Sequence, residues 1–117
     1  MPENLGQRIR QKRLERKLGL RETAVKVGIS STYLSRIETM DEASPPAEDV
    51  IQRLADLLGD DFDELMQLAG RVPQDVASVI KTDPRMPEFL RRVHQERMTG
   101  DELIRMLEER KRKGEGR

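Results

Sequence analysis

The chain has 117 residues with no cysteine and one histidine, which excludes a disulfide framework, a cysteine metal site and a cluster of histidine ligands. Its 22 basic and 22 acidic side chains cancel, and no apolar run reaches the ~20 residues that a membrane-spanning helix needs. We therefore expect a soluble, cytoplasmic protein of one domain with a small appendage, without a metal or other cofactor and without a membrane partner.

The zero net charge conceals an uneven distribution along the chain. Residues 5–39 carry nine basic and three acidic side chains, whereas residues 40–70 carry one basic and nine acidic side chains. Residues 71–117 carry twelve basic and nine acidic side chains. A basic segment of this kind indicates a surface for nucleic-acid phosphates, and a solvated, charge-rich surface is the alternative explanation.

The first predicted helix runs from about Asn4 to Lys17. Leu5, Ile9 and Leu14 are expected to face inward, with basic residues on the outer face. Gly19 follows as a tolerable N-cap for a second helix, and its exposed N–H groups can meet a phosphate.

The stretch LRETAVKVGISSTYLSRIE has the spacing of two short helices joined by a bend. Ala24 is small enough to let the second helix approach, and Gly28 can adopt the positive φ that ends the first. Ser30 is a good N-cap, and Leu34 and Ile37 point inward from the helix that follows. A small residue, a glycine four positions later and apolar residues six and nine after the glycine form the helix-turn-helix pattern.

Two more helices are predicted after an acidic loop, TMDEASPP. Pro45 and Pro46 end this loop and start a helix from Ala47 to Leu58, which Gly59 terminates. A fifth helix, from about Asp61 to Leu68, carries acidic residues around its first turn, where the helix dipole favours them. The residues of these two helices that are expected to face inward are Val50, Leu54, Leu57, Leu58, Phe62, Leu65 and Leu68.

The pieces KVGIS, YLSRIE, the PP before the fourth helix and RLADLLG match the Xre/Cro-type family of phage and bacterial repressors. From Leu5 to Gly70 the chain therefore resembles this family. The resemblance implies an all-α, lambda-repressor-like domain of five helices, whose third helix lies in the major groove of double-stranded DNA. Carried over, Leu20 to Val27 is helix 2 and Ser31 to Thr39 is the recognition helix, within a DNA-binding domain of residues 1–70.

Side-chain chemistry suggests roles along the recognition helix. Arg36 can donate two hydrogen bonds to guanine O6 and N7, while serine and threonine hydroxyls discriminate weakly between bases. Tyr33 can lie against a thymine methyl group or the sugar backbone, or it can pack on the protein surface. We expect base contacts from Ser31, Thr32, Tyr33, Ser35 and Arg36. We expect phosphate contacts from Gly19, Leu20, Arg21, Lys26 and Ser30.

The resemblance also implies an ion pair between Arg13 in the first helix and Glu38 at the end of the recognition helix. Such a partly buried pair would tie the two helices together and fix the angle of the recognition helix. The alternative is that Arg13 faces phosphate or water.

Some positions depart from the family pattern. Lys17 stands where a glycine often ends the first helix, and Gly19 stands where a serine or threonine N-cap is usual. Thr23 replaces a leucine or isoleucine and packs less core. Asp41 and Glu42 place carboxylates in a loop that runs close to the DNA backbone in the family, where phosphates would repel them unless they turn outward.

Residues 71–117 show no resemblance that assigns them to a family. They form a C-terminal region of about three predicted helices: Gln74 to Lys81, Glu88 to about Arg97, and a helix to about Arg112 that Thr99 and Glu102 open as a capping box. The last residues, KRKGEGR, are expected to fray. A segment this short has too few large apolar side chains for an independent core. Its apolar stripes would be covered by the same stripes of a second copy. This region is therefore expected to form a homodimer through Phe89, Leu90, Val93, Leu103, Ile104 and Leu107.

These observations favour a homodimeric repressor that reads an inverted repeat, with recognition helices one DNA turn, ~34 Å, apart. A second interpretation is a protein-binding regulator, such as an antitoxin or a repressor whose tail binds an antagonist, a toxin or a protease. A third is a scaffold that kept the fold and lost its DNA affinity, as the acidic loop and Thr23 suggest. An enzyme is not expected, because His94 has no catalytic neighbours and no glycine-rich phosphate loop occurs in the sequence.

Overall fold

The computed structural model describes residues 3–115, and within them it contains eight α-helices and no strand. The helices are α1 (Leu5–Glu15), α2 (Leu20–Val27), α3 (Ser31–Thr39), α4 (Glu48–Leu58), α5 (Phe62–Leu68), α6 (Gln74–Thr82), α7 (Arg85–Gln95) and α8 (Gly100–Glu115). The chain divides into two compact units, Met1–Gln74 and Asp75–Arg117. The expected all-α fold, with five helices followed by three more, is confirmed. Over the described range, none of these helices combines the length and apolar character needed to cross a membrane.

Side-chain caps open α1, α3 and α5 of the first unit, and a glycine in the left-handed conformation closes α2. The Asn4 side chain accepts a hydrogen bond of 2.8 Å from the Gln7 N–H, and the Gln7 side chain accepts one of 3.0 Å from the Asn4 N–H, so that α1 opens with a capping box. Ser30 and Asp61 cap α3 and α5 by accepting from the N–H groups three residues further on. Gly28 ends α2 with a φ of 81°, in the left-handed region that glycine adopts without a steric penalty.

The five helices of the first unit enclose one continuous apolar core. Its buried hydrophobic residues are Leu5, Ile9, Ala24, Val27, Leu34, Ile37, Val50, Ile51, Leu54, Ala55, Leu58, Leu65 and Met66. Thr23 is buried among them, and its hydroxyl donates a hydrogen bond of 2.9 Å to the Gly19 carbonyl. A buried hydroxyl without a partner would cost ~1–3 kcal/mol, so this bond within α2 makes threonine tolerable in the core.

The first helix is shorter than predicted. It ends at Glu15 rather than Lys17, which has a φ of 56° in the left-handed region and so cannot continue the helix. Leu14, expected to face inward, is 54% exposed. Five positions after Ile9 correspond to about 140° around a helix, which turns Leu14 away from the face that carries Leu5 and Ile9.

Helices α4 and α5 begin one residue later than predicted, because Ala47 and Asp61 are their N-caps. Ile51 and Met66 lie in the core although neither was predicted to face inward. Leu57 is only partly buried against that core, and so are the predicted inward residues Phe62 and Leu68. On α4, Ile51 is thus more deeply buried in the core than Leu57.

The second unit contrasts with the first, because no described residue of α6, α7 or α8 is buried. α7 begins at Arg85 rather than at Glu88. Pro87 is the third residue of this helix, within the first turn, where a missing backbone N–H removes no intrahelical hydrogen bond. Pro87 therefore lies inside the helix and does not mark its start.

The last helix begins where the sequence indicates and runs further. The Thr99 hydroxyl accepts a hydrogen bond from the Glu102 N–H and donates one to the Glu102 carboxylate, both of 3.2 Å. α8 extends to Glu115, beyond the predicted end at Arg112. The expectation that KRKGEGR frays is therefore wrong up to Glu115, and its last two residues lie outside the described residues.

Candidate nucleic-acid interface

Helix α3 presents a polar face opposite two core residues. Leu34 and Ile37 are buried, with exposed fractions of 0% and 2%. On the remaining surface of the helix, Thr32 and Arg36 are exposed and Ser31 and Ser35 are half-buried. The structure thus leaves accessible four of the five residues that were predicted to contact bases. Their side chains are short hydroxyls and one long guanidinium, which suits a helix that approaches base edges closely.

Tyr33, the fifth of these residues, is placed differently. It is half-buried, and its ring packs against the core of the first unit. Its backbone N–H is occupied by the Ser30 hydroxyl oxygen at 3.0 Å. This environment favours the surface-packing alternative for Tyr33 over a contact with thymine.

The turn between α2 and α3 is held by contacts from inside α2 and from α4. The Gly28 N–H donates to the Ala24 carbonyl at 2.9 Å, and the Arg53 guanidinium donates to the Val27 carbonyl at 2.7 Å. The same guanidinium would lie 3.0 Å from a Cβ atom at residue 28. Gly28 therefore meets two demands, a positive φ and room for Arg53, and Arg53 is a turn-stabilising residue that sequence reasoning missed.

An ion pair joins α1 to the end of α3. Arg13 donates through Nε and Nη2 to the two oxygens of Glu38, at 2.8 and 2.9 Å, and through Nη1 to the Leu18 carbonyl at 3.0 Å. The side chains of Arg13 and Glu38 are only 11% and 6% exposed. Hydrogen bonding to the Glu38 carboxylate raises the pKa of Arg13 above its ordinary value. The two-pronged geometry restricts rotation of α3 relative to α1.

The backbones of α1 and α3 also meet directly, at Gly6. This residue is buried, and a Cβ atom built on it would lie 2.6 Å from the Ile37 carbonyl oxygen, too close for any side chain. A glycine inside a helix costs roughly 1 kcal/mol relative to alanine, so its presence in the second position of α1 needs a packing reason. Close contact with α3 is that reason, and the sequence analysis assigned Gly6 no role.

Internal ion pairs reduce the number of basic side chains that face outward. Arg8 donates to both Asp60 oxygens at 2.6 and 2.8 Å and also lies within 3.0 Å of Glu64 and Glu3. These hydrogen bonds, those to Asp60 foremost, raise the pKa of Arg8. Burial alone would raise the pKa of Asp60, but hydrogen bonds from Arg8 and the Asp61 N–H leave it below its ordinary value. Arg8 therefore ties α1 to the start of α5 instead of contributing to a basic surface.

The residues predicted to contact phosphate lie at the two ends of α2 and the start of α3. Gly19, Arg21, Lys26 and Ser30 are exposed, while Leu20 is half-buried and packs against the core. Gly19 offers no side-chain cap, so the first N–H groups of α2 have no side-chain acceptor within the described part of the chain. A helix N-terminus of this kind can bind a phosphate oxygen.

The acidic loop after α3 has local partners for its two carboxylates. Asp41 accepts a hydrogen bond of 2.8 Å from the Thr39 hydroxyl, and Glu42 Oε1 lies 3.6 Å from Arg36 Nη1. The Arg36 side chain is 60% exposed. The Glu42 carboxylate is thus paired with a positive charge, whereas Asp41 is hydrogen-bonded by a neutral hydroxyl and keeps its negative charge.

Residues 4–77 match a family of proteins described as a helix-turn-helix domain, and the match spans more than half of the chain. The chain belongs to this helix-turn-helix family. The resemblance to Xre/Cro-type regulators is confirmed, and the protein is a DNA-binding transcriptional regulator. Proteins of this family and fold are DNA-binding regulators and are generally not enzymes. No group of His, Asp or Glu side chains within residues 3–115 is arranged to hold a metal ion.

Solved structures of the regulator SinR are similar to this chain. A crystal structure of SinR, described as the master regulator for biofilm formation, in complex with DNA is 32% identical over 53% of this chain and 97% of the SinR chain, with a TM-score of 0.49. The N-terminal DNA-binding domain of SinR from Bacillus subtilis is also 32% identical, over 53% of this chain and 88% of that chain, with a TM-score of 0.49. A complex of SinR with SinI is 22% identical over 95% of this chain and 98% of that chain, with a TM-score of 0.50, and shows likeness of fold. The comparison with curated proteins gave no match.

Proposed function

We propose that this protein is a homodimeric repressor that binds a specific inverted repeat in double-stranded DNA and reads it through α3. The observation that carries the proposal is the support of α3: its polar face is open, while the opposite side is held by the core, by the Arg13–Glu38 pair and by the contact at Gly6. Base reading depends on hydrogen-bond distances, so a reading helix needs this kind of rigid mounting.

Arg36 is the residue of α3 best suited to choose between bases. Its guanidinium donates no hydrogen bond within the described residues 3–115, and its side chain is mostly exposed. Two parallel N–H donors of a guanidinium match guanine O6 and N7, which gives the strongest discrimination among the residue types on this face. Ser31, Thr32 and Ser35 supply hydroxyls that can bond base edges or phosphates with weaker preference.

The test begins with selection of bound duplexes from a random DNA pool by the full-length protein. Arg36→Ala should weaken binding to the selected site by ~1–3 kcal/mol and relax the preference at one base pair. Lys26→Ala, a matched removal of one exposed positive charge, should weaken preferred and random DNA alike and reduce the salt slope by about one unit. Equal losses on both DNAs for Arg36→Ala would rule out base reading by that residue.

The second unit supports the dimeric form of the proposal. Phe89, Leu90, Ile104 and Leu107 are 46%, 41%, 55% and 63% exposed. Val93 and Leu103 are half-buried on the same helices, α7 and α8. Large apolar side chains that remain exposed on successive helices are typical of an association surface. A second copy covers such a surface with an identical one, and joins two DNA-binding units so that both half-sites are bound together.

Truncation separates the two units experimentally, and the structure defines where to cut. Arg71 donates to the carbonyls of Pro46 and Pro45 at 2.6 and 2.9 Å, and the Gln74 N–H donates to Glu48 at 2.9 Å. A chain of residues 1–77 keeps these bonds, whereas a cut after Gly70 would remove them.

Sedimentation should show a dimer for the full chain and a folded monomer for residues 1–77. Binding of the shorter chain to the selected site should be weaker by a factor of ~10² or more, because the second half-site no longer adds to the first. A monomeric full-length protein, a dimeric 1–77 chain, or a selected site without two-fold symmetry would contradict the homodimer.

A protein-binding regulator is the second candidate, and the same exposed residues of α7 and α8 favour it. SinR, whose fold this chain shares, has a solved structure in complex with the SinI protein. For this chain, the corresponding hypothesis is an antitoxin or a repressor whose second unit binds an antagonist, a toxin or a protease. A full-length chain that stays monomeric, and that co-purifies with the product of a neighbouring gene only when α7 and α8 are present, would favour this candidate over the homodimer.

A further inference from the structure

We propose that Glu42 is a specificity-determining residue, whose carboxylate orients the Arg36 guanidinium toward guanine and stays paired with it on DNA. This inference rests on the proposed function, since it takes Arg36 to be the base-reading residue. Glu42 is thus a positioning residue that acts on DNA through Arg36. The acidic loop then contributes to base recognition and does not hinder DNA binding.

The geometry leaves Arg36 free to serve two partners. The carboxylate lies on the Nη1 side, where Glu42 Oε1 is 3.6 Å away, an ion-pair distance longer than a hydrogen bond. A guanidinium carries five N–H donors in a flat fork. The edge formed by Nε and Nη2 therefore remains available for guanine O6 and N7, which accept two parallel hydrogen bonds.

Glu42 is the better-fixed member of the pair. Its side chain is 28% exposed, against 60% for Arg36. The loop that carries it is held at its start by the bond between Thr39 and Asp41, and at its end by Arg71, which donates to the Pro46 carbonyl. A carboxylate on an anchored loop can orient a mobile guanidinium, whereas the reverse would leave both side chains free.

Orientation by Glu42 changes specific and random binding in opposite directions. An arginine that is already aligned loses less conformational freedom when it contacts guanine, so the preferred site is bound more tightly. On random DNA the same carboxylate lies near phosphates without a compensating base contact, which weakens binding. A carboxylate that merely competed with DNA for Arg36 would instead weaken binding to the preferred site.

The experiment compares Glu42→Gln with Asp41→Asn in the full-length protein. Both changes remove one negative charge from the same surface loop, outside the core. The Asp41 carboxylate accepts a hydrogen bond from the Thr39 hydroxyl, whereas it is the Glu42 carboxylate that pairs with the Arg36 guanidinium. Dissociation constants are measured on the selected site and on a random duplex of equal length, at several salt concentrations. Glu42→Gln should bind the selected site ~3-fold more weakly and random DNA ~2-fold more tightly, and should relax preference at the base pair that Arg36→Ala relaxes. Asp41→Asn should shift both constants in the same direction and leave their ratio unchanged.

Several results would overturn the inference. Tighter binding of Glu42→Gln to the selected site would show a competitor, and equal behaviour of the two variants would show a general charge effect. Adding Glu42→Gln to Arg36→Ala should leave the specificity ratio of Arg36→Ala unchanged, and a further fall would contradict action through Arg36. If Arg36→Ala alone leaves base preference intact, the proposed reading by Arg36 fails. A normal effect of Arg36→Ala with no effect of Glu42→Gln contradicts this inference alone.

Discussion

In the first unit, the apolar side chains of α1–α5 close over one core, whereas no described residue of α6, α7 or α8 is buried. The ion pairs of the two units differ in how far apart the paired residues lie in the sequence. Arg13 with Glu38 joins helices 25 positions apart in sequence, while Arg85 with Glu88 lies within a single turn of α7. The first unit therefore has its own buried core, whereas the second leaves several large apolar side chains exposed.

Because of this difference, we expect the first unit to determine the stability of the monomer and the second unit to determine association with other molecules. Burying a leucine or isoleucine side chain contributes ~1.5–3 kcal/mol relative to leaving it exposed. The side chains that receive this contribution within one chain lie in the first unit, so that unit determines the free energy of unfolding of the monomer. The apolar residues of the second unit can gain a comparable contribution only when a partner covers them.

Replacing one leucine in each unit by alanine should give the largest effects and test the contrast between the two units most directly. Leu54 is fully buried and Leu107 is 63% exposed. We expect Leu54→Ala to lower the free energy of unfolding of residues 1–77 by ~2–5 kcal/mol, through lost burial and the cavity left behind. Leu107→Ala in the full chain should leave unfolding of the first unit unchanged and weaken the dimer.

Denaturant unfolding measures the first effect, and sedimentation over a range of protein concentrations measures the second. A loss from Leu107→Ala in the unfolding of the first unit as large as that from Leu54→Ala would show that the two units are stabilised as one. The contrast between the units would then be lost.

The second-largest effect concerns the Arg13–Glu38 ion pair, which joins two helices of the first unit. Glu38→Ala should lower the free energy of unfolding by ~2–4 kcal/mol, because it leaves the largely buried Arg13 guanidinium unpaired. Glu22→Ala is the control: its pair with Lys26 is half exposed on both sides and should contribute ~0–1 kcal/mol. A double-mutant cycle on Arg13 and Glu38 with a coupling energy near zero would refute the role given to this pair.

Acid should weaken the first unit through Asp60. Its pKa is lower in the folded protein than in the unfolded chain, so its contribution is complete above the unfolded value near ~4 and is lost as the pH falls through and below that value. Asp60→Asn should therefore lower stability at neutral pH and flatten the fall in melting temperature between about pH 5 and pH 3. The effect should be smaller than that of Glu38→Ala, because Arg8 keeps Glu3 and Glu64 as partners.

Asp56→Asn is the matched control for this titration. Asp56 is exposed and accepts one hydrogen bond, from Gln52, so removing its charge should cost less stability at neutral pH than Asp60→Asn does. Identical pH profiles for wild type and Asp60→Asn would show that the contact with Arg8 does not stabilise the fold in solution.

Local signals made the helix-turn-helix predictable. Gly28 and Ser30 act through their own backbone conformation and the nearest N–H groups, and both can be recognised from a few neighbouring residues. The inward positions of Leu34 and Ile37 follow from helical periodicity. Leu14 does not share this periodicity with Leu5 and Ile9, and the prediction that it faces inward was wrong.

Contacts over long sequence distances could not be predicted in the same way. Gly6 has no local reason to be glycine, since its neighbour is a carbonyl 31 residues later, that of Ile37. Arg53 acts on Val27 across 26 positions, and its sequence context shows only a helical arginine. Asp41 and Glu42 appeared repulsive because their partners depend on how the loop turns. These residues emerge only once the helices are packed.

The smallest expected effect compares the two units at equivalent backbone positions. Lys17 in the first unit and Arg97 in the second both have a φ of 56°. A left-handed conformation costs a residue with a Cβ atom ~1–2 kcal/mol, and glycine avoids this cost. Glycine also gives the unfolded chain more conformational freedom, which lowers the free energy of unfolding by ~0.5–1 kcal/mol. Lys17→Gly should therefore raise the free energy of unfolding of the first unit by ~0.5–1 kcal/mol, seen as a few degrees in its melting temperature.

Arg97→Gly relieves the same strain in the second unit, where no described residue is buried, and should leave the melting temperature of the first unit unchanged. Calorimetry of both variants in the full chain measures these shifts. An equal rise in one shared transition would mean that the units unfold together, because a local gain is transmitted only through cooperative contacts. A rise for Lys17→Gly alone would show that the first unit unfolds without the second.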